Sequence, residues 1–173
     1  MMQNMKTKMK KKMKTTNKYV IFDLDGTLAD IEARRKVSKI YKNGKVKQDW
    51  DKFFDPENIK LDQPNWPVIS IAKMFNNYGT KVFIFSGRSK ATKDATRTWL
   101  AMYGIPYNIL KMRPTSKKWM YMPDDKLKQG WLDDLFPGDK KDNIVAVFDD
   151  RNKVVDMWRK NGLTCMQVAP GDF

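Results

Sequence analysis

Three clusters of polar residues each follow a short apolar run in this sequence. The runs cover residues 19–22, 82–85 and 144–148, and the clusters after them are Asp23-Leu24-Asp25-Gly26-Thr27, Ser86-Gly87-Arg88 and Asp149-Asp150-Arg151. If the runs are strands of one open α/β sheet, the clusters meet in the crevice beyond the carboxyl ends of those strands. Carboxylates held together repel one another unless a proton or a cation lies between them. The spacing therefore predicts a divalent metal site built from aspartates.

The composition narrows the chemistry that such a site can perform. The 173 residues include no histidine and a single cysteine, Cys165. Histidine-based triads, phosphohistidine chemistry and zinc held by His or Cys are therefore excluded, and no internal disulfide can form. Catalysis has to depend on carboxylates, Lys, Arg, Ser or Thr. A cation held by carboxylate oxygens is a hard ion such as Mg²⁺.

The chain is strongly basic. Its formal net charge is +14, and the first seventeen residues hold six lysines and no acid, which leaves +8 for the rest. Such a charge attracts polyanions in a salt-dependent way, and a solvated, Lys-rich surface without a partner is the alternative of equal weight. Residues 1–17 are predicted to be a disordered basic tail, and residues 18–173 to be one folded domain.

Strands and helices alternate along the predicted domain. Residues 165–168 form a weaker strand pattern, and helical patterns cover residues 68–78, 90–103, 124–136 and 152–161. Three of these helices are followed by a glycine, at Gly79, Gly104 and Gly162, where a left-handed residue commonly ends a helix. The alternation indicates βαβ units and a parallel sheet with helices on both faces. Residues 31–66 interrupt it and are predicted to be a small insertion over the edge of the sheet.

The D-x-D-G-T pattern of residues 23–27 resembles the nucleophile motif of the haloacid dehalogenase (HAD) superfamily of aspartate-nucleophile phosphatases. The other motifs of that family match in order: Ser86 after the second strand, Lys128 in a helix ahead of the third, and Asp149 with Asp150 after the third. The resemblance covers residues 19–151. It implies a Rossmann-like, HAD-type α/β fold, Mg²⁺ as the cofactor, and hydrolysis of a phosphomonoester through a phospho-aspartate.

The aspartates have distinct tasks in an enzyme of this kind. Asp23 is expected to attack phosphorus and to carry the phosphoryl group. Asp25 is expected to give a proton to the leaving oxygen and later to take one from water. The expected Mg²⁺ ligands are Asp23, the carbonyl oxygen of Asp25, Asp149 and Asp150. A carboxylate that follows a strand can instead cap the next helix, which is the structural alternative for each of them.

The remaining motif residues are expected to hold the phosphoryl group. Gly26 permits the turn that brings backbone N–H groups near the phosphate. Ser86 and Lys128 would bind the transferred oxygens and offset their developing charge. A simple turn position is the alternative for Ser86, and Lys126 or Lys111 could take the place of Lys128.

A closer resemblance is to the phosphatase domain of bacteriophage polynucleotide kinase. The similar segments are residues 148–151, 154–159, 162–163 and 167–173, together with Ser86-Gly87-Arg88. Arg34 and Asp124 also match, and the implied substrate-binding residues are Gly26, Thr27, Arg34, Gly87, Arg88 and Asp124. In this interpretation the guanidinium groups of Arg34 and Arg88 pair with phosphate oxygens. Arg34 could also be a surface residue, and Arg113 could either contact a nucleic-acid strand or cap a helix.

This resemblance implies removal of 3′-phosphates from nucleic-acid ends. The kinase half of the phage enzyme has a G-x-x-x-x-G-K-[ST] loop, and no such string occurs here, so kinase activity is not expected. The alternatives are a nucleotidase or other small-molecule phosphatase, and a non-catalytic nucleic-acid-binding protein. The expected partners are phosphorylated nucleic-acid ends or nucleotides. Without a membrane-length apolar run or a signal region, the expected location is the cytoplasm of a bacterial or phage-infected cell.

Six tryptophans raise the question of base stacking. Trp50, Phe53 and Phe54 lie in the predicted insertion and could stack on a base, although such residues more often anchor a small lid to a core. Trp99, Trp131 and Trp158 lie on the apolar faces of predicted helices and are expected to be buried.

Overall fold

The computed structural model of the protein describes residues 17–171. The strands in this range are β1 (Tyr19–Phe22), β2 (Ala29–Asp30), β3 (Lys39–Lys42), β4 (Lys45–Gln48), β5 (Gln63–Pro64), β6 (Lys81–Ser89), β7 (Ile109–Arg113), β8 (Ile144–Asp149) and β9 (Cys165–Gln167). The α-helices are α1 (Glu32–Val37), α2 (Trp50–Phe53), α3 (Pro56–Ile59), α4 (Trp66–Asn77), α5 (Lys93–Met102), α6 (Lys117–Met120), α7 (Asp124–Leu135) and α8 (Asn152–Lys160), and 3₁₀ helices cover Lys90–Thr92 and Gly138–Asn143. The predicted basic tail lies outside the described residues, except for Asn17.

A five-stranded parallel sheet organises the domain. Its strand order is β7-β6-β1-β8-β9, and every neighbouring pair is parallel. The parallel α/β sheet predicted from the sequence is therefore confirmed. The strands that end in the three polar clusters, β6, β1 and β8, are adjacent at its centre. Their carboxyl ends consequently lie side by side, which is the arrangement that brings the clusters into one crevice.

Hydrophobic cores lie on both faces of this sheet. Along β1, Val20 and Phe22 pack on one face with residues of α4 and α5, while Ile21 packs on the other face with residues of α7 and α8. Because neither face of the strand meets water, its sequence is an unbroken apolar run instead of an alternating one. The predicted core tryptophans are buried, namely Trp99, Trp131 and Trp158.

The segment predicted to be an insertion, residues 31–66, runs from the end of β2 to the first residue of α4. The short antiparallel ribbon of β2 and β5 brings the two ends of this segment together, and α1, α2 and α3 pack against one another. The β3–β4 hairpin projects from α1 through an Asn43-Gly44 turn, with φ angles of 53° and 71°. This dipeptide suits the two-residue hairpin turn because both positions need a positive φ. Four lysines of the hairpin are exposed, at positions 39, 42, 45 and 47.

Some elements differ from the sequence-based prediction. β7 is not foreseen, because Lys111 and Arg113 interrupt its apolar pattern. The strand predicted over residues 82–85 extends to Ser89, so Ser86 and Arg88 lie within β6 and not after it. Within the described part of the chain, no helix is long and apolar enough to cross a membrane.

Candidate active site

The loop after β1 holds the first two aspartates in a tight turn. The Asp23 N–H donates to the Phe148 carbonyl of β8 at 2.8 Å, and the Gly26 N–H donates to the Ala29 carbonyl at 2.8 Å. Gly26 has a φ of 88°. A Cβ atom at this position would lie 2.1 Å from Asp150 Oδ2. Glycine is therefore required both by the backbone conformation and by the close approach of a carboxylate.

Three carboxylates converge where β1 and β8 end. Asp23, Asp149 and Asp150 each offer an oxygen within 4.8 Å of the others, and all three are buried. A set of carboxylate oxygens is the donor set that a hard cation such as Mg²⁺ prefers, so these residues fit the predicted ion. The Asp25 carboxylate points elsewhere. Its predicted ligand atom is its backbone carbonyl oxygen, and that contact stays a prediction.

Lys128 links two of these carboxylates. From the first part of α7, its Nζ donates to Asp23 Oδ1 at 2.6 Å and to Asp149 Oδ2 at 2.8 Å. Burial alone would lower the pKa of Lys128, but the charges of Asp149 and Asp23 outweigh burial and raise it. Of the three lysines considered from sequence, Lys126 is exposed and Lys111 pairs with Asp134. Only Lys128 reaches the aspartate cluster.

Burial and mutual repulsion disfavour the charged forms of the cluster. Burial, followed by the charges of Asp149 and Asp150, raises the pKa of Asp23 well above its usual value, against the opposing effect of Lys128. Burial and the charge of Asp149 raise the pKa of Asp150 to about 6. Carboxylates in this state gain from a cation that relieves their repulsion. The electrostatics thus agree with a metal site.

Asp25 is held by two arginines. Its Oδ1 accepts from Arg34 Nη2 at 2.6 Å and from Arg88 Nε at 2.8 Å and Nη2 at 2.5 Å. Burial would raise the pKa of Asp25, but the charges of Arg88 and Arg34 outweigh it and hold the pKa below its usual value. The three bonds all go to one carboxylate oxygen, and the side chain stays 20% exposed. Oδ2 is therefore the oxygen of Asp25 available for proton transfer.

A fourth group, Asp62, completes this arrangement. Its Oδ1 accepts from Arg34 Nε at 2.8 Å and its Oδ2 from Arg88 Nη2 at 2.5 Å. Burial raises the pKa of Asp62 to about 6. Sequence reasoning missed this residue, because Asp62 belongs to none of the motifs and lies in the predicted insertion. One indirect signal was available: if both arginines are buried, more than one carboxylate is needed to balance their charge.

The placement of Arg34 and Arg88 corrects part of the sequence-based interpretation. Both side chains are fully buried, so Arg34 is not a surface residue. Their N–H groups donate to Asp25 and Asp62, and the guanidinium of Arg34 also lies 4.3 Å from the centre of the Phe53 ring. They position the Asp25 carboxylate in this structure. Direct pairing with a phosphate oxygen stays a prediction.

The residues in the last part of β6 form a second polar group. Ser86 is fully buried, and its Oγ accepts from the Arg88 N–H at 3.2 Å. A Cβ on Gly87 would lie 2.8 Å from Asp124 Oδ1. The Asp124 carboxylate accepts from Arg113 and, at 2.6 Å, from Arg151 Nη1. The structure thus brings Asp124 beside Gly87, although it does not test their predicted contact with substrate.

Arg113 serves the fold. Its Nη1 donates to the carbonyl oxygens of Trp119 and Met122, each at 2.6 Å, and its Nε to that of Gly87 at 3.1 Å. Of the two alternatives for this residue, the structure favours a role at the end of a helix, because the Trp119 and Met122 carbonyls that accept from Arg113 lie at and just past the end of α6.

The aromatic residues considered for base stacking and the predicted substrate-binding residue Thr27 differ in how deeply they are buried. Phe53 is buried against Arg34, while Trp50 is 58% exposed and stacks on Phe54. Anchoring of the insertion therefore accounts for Phe53. Thr27 is fully buried, and its Oγ1 is, among the described residues, the buried side-chain polar atom that lacks a hydrogen-bond partner.

Comparison with known proteins first defines the class of fold. A HAD-superfamily hydrolase from Geobacter sulfurreducens superposes with a TM-score of 0.56 at 11% identity, covering 88% of this chain and 87% of that one. The fold is therefore that of HAD-type hydrolases. A chain of the Pnkp1/Rnl/Hen1 RNA repair complex superposes with a TM-score of 0.70 at 35% identity, covering 91% of this chain and 44% of that one.

The sequence comparisons define the family within that class. A family model for the polynucleotide kinase PNKP phosphatase domain matches residues 47–173. The chain belongs to this family of phosphatase domains. A protein of Autographa californica nuclear polyhedrosis virus, named as a bifunctional polynucleotide kinase/RNA ligase, is 32% identical over 143 residues, which are 81% of this chain and 17% of that protein. The chain thus spans less than half the length of the viral protein and of the RNA repair complex chain.

Proposed function

We propose that this protein removes 3′-phosphates from nucleic-acid ends by way of a phosphoryl group carried on Asp23. The observation that carries the proposal is the pair of hydrogen bonds from Lys128 to Asp23 and Asp149, beside Asp150. A nucleophilic carboxylate, an ammonium group and two further carboxylates are thereby gathered at the ends of adjacent parallel strands. Mg²⁺ held by Asp23, Asp149 and Asp150 would offset the negative charge of the phosphoryl oxygens.

Two proton transfers complete the reaction. As Asp23 attacks phosphorus, the bond to the 3′ oxygen breaks, and that oxygen takes a proton from Oδ2 of Asp25. Asp25 would hold this proton in the substrate complex, because the negative charge of the bound phosphate offsets the two arginines and favours the protonated carboxyl. In the second step Asp25 takes a proton from water, which attacks the phosphoryl group and frees Asp23. Arg34 and Arg88 hold Oδ1 during both steps, so Oδ2 keeps a constant position.

The depth of the site favours a terminal phosphate. The Asp23 side chain is only 8% exposed, and Lys128 lies behind it. A phosphomonoester at a chain end can enter such a site, whereas an internal phosphodiester carries chain on both sides. The exposed lysines of the β3–β4 hairpin, with no acid between residues 33 and 48, would attract the adjoining backbone phosphates. The family relationship to a polynucleotide kinase phosphatase domain supports the same substrate class.

A substrate comparison tests the proposal. Rates with Mg²⁺ are measured on a 3′-phosphorylated oligonucleotide, on mononucleotides and on a chromogenic phosphate ester. We expect the highest kcat/KM on the oligonucleotide. A preference for mononucleotides would instead favour the second candidate, a nucleotidase, which the same limited exposure of Asp23 also permits.

The nucleophile is tested separately. Asp23→Asn is expected to abolish turnover on every substrate, with the fold retained by circular dichroism. Wild-type protein quenched in acid during turnover should retain radiolabelled phosphate, and Asp23→Asn should not. Asp139→Asn, an exposed aspartate in a 3₁₀ helix, is the matched control. Turnover by Asp23→Asn, or labelling of that variant, would show that another residue is the nucleophile.

A further inference from the structure

A cleft of about 510 Å³ opens directly beside the candidate metal site. Gly26 and Asp150 of the site line it together with Trp66, and three prolines, Pro64, Pro67 and Pro170, also belong to its lining. The volume is that of a typical small-ligand pocket. Whatever group remains attached to a phosphate at the aspartate cluster can enter this cleft.

Trp66 is an exposed aromatic residue that the fold holds in place. The residue is 52% exposed, yet its ring packs edge-on against Tyr103 at 5.9 Å, and Lys73 Nζ lies 5.5 Å from its centre. Exposed tryptophan carries a cost in water unless a partner covers it. A fixed, half-exposed ring that lines a cleft is a ready stacking surface for a flat heterocycle.

Hydrogen bonds connect the segment that carries this ring to the loop after β1. Asn65 Nδ2 donates to the Thr27 carbonyl at 2.9 Å, and the Asn65 N–H donates to the Leu28 carbonyl at 2.9 Å. Pro64 pairs with Ala29 in the β2–β5 ribbon. The start of α4 is therefore tied to the loop that carries Asp23 and Asp25. A group stacked on Trp66 would keep a constant distance from the reacting phosphate.

The charges of the cleft select the type of group. Asp30 and Glu32 also line it, beside a single basic residue, Arg35, so carboxylates outnumber cations in the cleft and disfavour a second phosphate there. An uncharged base and its sugar suit these walls, while the remaining backbone phosphates are better accommodated at the basic β3–β4 hairpin. Given the proposed function, on which this step rests, we propose that the cleft binds the terminal nucleoside of the substrate and that Trp66 stacks on its base.

Paired substrates test the proposal. One oligonucleotide carries a normal 3′-terminal nucleotide with its phosphate, and the other is identical except that the terminal base is missing. In the wild type, the base-bearing substrate should have the higher kcat/KM. Trp66→Ala should reduce the ratio of the two values by about 5- to 100-fold, chiefly through KM, since that is the usual effect of stacking one base. Trp66→Phe should keep most of the ratio.

A control and a binding measurement separate this effect from a folding defect. Trp50→Ala removes a tryptophan of similar exposure and should leave the ratio at the wild-type value. In Asp23→Asn, which binds without turnover, the base-bearing oligonucleotide should quench tryptophan fluorescence, and added Trp66→Phe should remove that quench.

Two results would overturn the proposal: a ratio that is unchanged in Trp66→Ala, whether or not both rates fall equally, or a ratio that falls with Trp50→Ala instead. Failure of the proposed function has a different signature. In that case the wild type itself shows no preference for the oligonucleotide over mononucleotides, and the subsite falls with it. If the wild type has that preference and Trp66→Ala keeps the ratio, only the subsite is wrong.

Discussion

A comparison of Gly26→Ala with Gly79→Ala separates the cost of the backbone conformation from the effect of a contact with the metal site. Gly26 has a φ of 88°, and its added Cβ would lie 2.1 Å from Asp150 Oδ2. Gly79, at the end of α4, has a φ of 79° and nothing within 4 Å of such a Cβ. The left-handed conformation costs alanine roughly 1–2 kcal/mol in both places. Only at position 26 must a carboxylate also move.

The two variants should therefore share a loss of stability and differ in metal dependence. The backbone cost corresponds to a fall in Tm of about 2–8 °C for a domain of this size. Displacement of Asp150 should also raise the Mg²⁺ concentration for half-maximal activity of Gly26→Ala by about 10- to 100-fold. Gly79→Ala should keep the wild-type value. The assays are thermal unfolding without metal and phosphatase rates across a Mg²⁺ titration.

A double-mutant cycle gives the decisive comparison. If Gly26→Ala acts through Asp150, combining it with Asp150→Asn should add little to the effect of Asp150→Asn alone, because the two changes share one carboxylate. Equal Mg²⁺ dependence in Gly26→Ala and Gly79→Ala, or simple additivity in the cycle, would refute the reasoning.

Three further predictions follow from the charges of the site. Lys128→Met leaves Asp23 and Asp149 without their shared cation, so the metal-free protein should lose about 3–5 kcal/mol of unfolding free energy; equal urea unfolding of the two proteins would contradict this. Asp150, with a pKa of about 6, must be ionised to bind a cation. The rise in Tm caused by Mg²⁺ should therefore be largest above pH 7 and should shrink as the pH falls through about 6. A constant rise from pH 7.5 to 5 would exclude Asp150 as a ligand. The third prediction concerns a variant in which three hairpin lysines, Lys42, Lys45 and Lys47, are replaced by alanine. The slope of log KM against log salt concentration for the oligonucleotide should fall by about one unit per lost phosphate contact. The slope for mononucleotides should not change.

Short-range patterns were enough to predict the centre of the site. Asp23 and Asp149 come directly at the ends of buried strands, and the carboxyl ends of adjacent parallel strands share an edge, so local sequence determined which residues would meet. The α/β class followed from the same alternation of strands and helices. Lys128 was identified only through a resemblance, since two other lysines had similar local surroundings.

Tertiary pairing explains what the sequence did not reveal. Asp62 lies 28 residues from Arg34 and 26 from Arg88, in a segment without periodicity, and only the folded insertion brings them together. The resemblance implied that Arg34 and Arg88 pair with phosphate oxygens, but it did not reveal that carboxylates accept hydrogen bonds from both arginines. β7 was missed for a related reason: its charged residues reach partners on other elements, such as Asp134 and Asp124.

The double contact of Asp62 limits how the insertion can change. Its two oxygens join an arginine of the insertion to an arginine of the central sheet, so any segment exchanged between β1 and α4 must supply a carboxylate at the same place. Without one, two fully buried cations would share Asp25 alone. Their charges would lower the pKa of Asp25 further, and the carboxylate would take up a proton less readily. Efforts to redesign substrate range through this segment should therefore keep Asp62 and vary the hairpin.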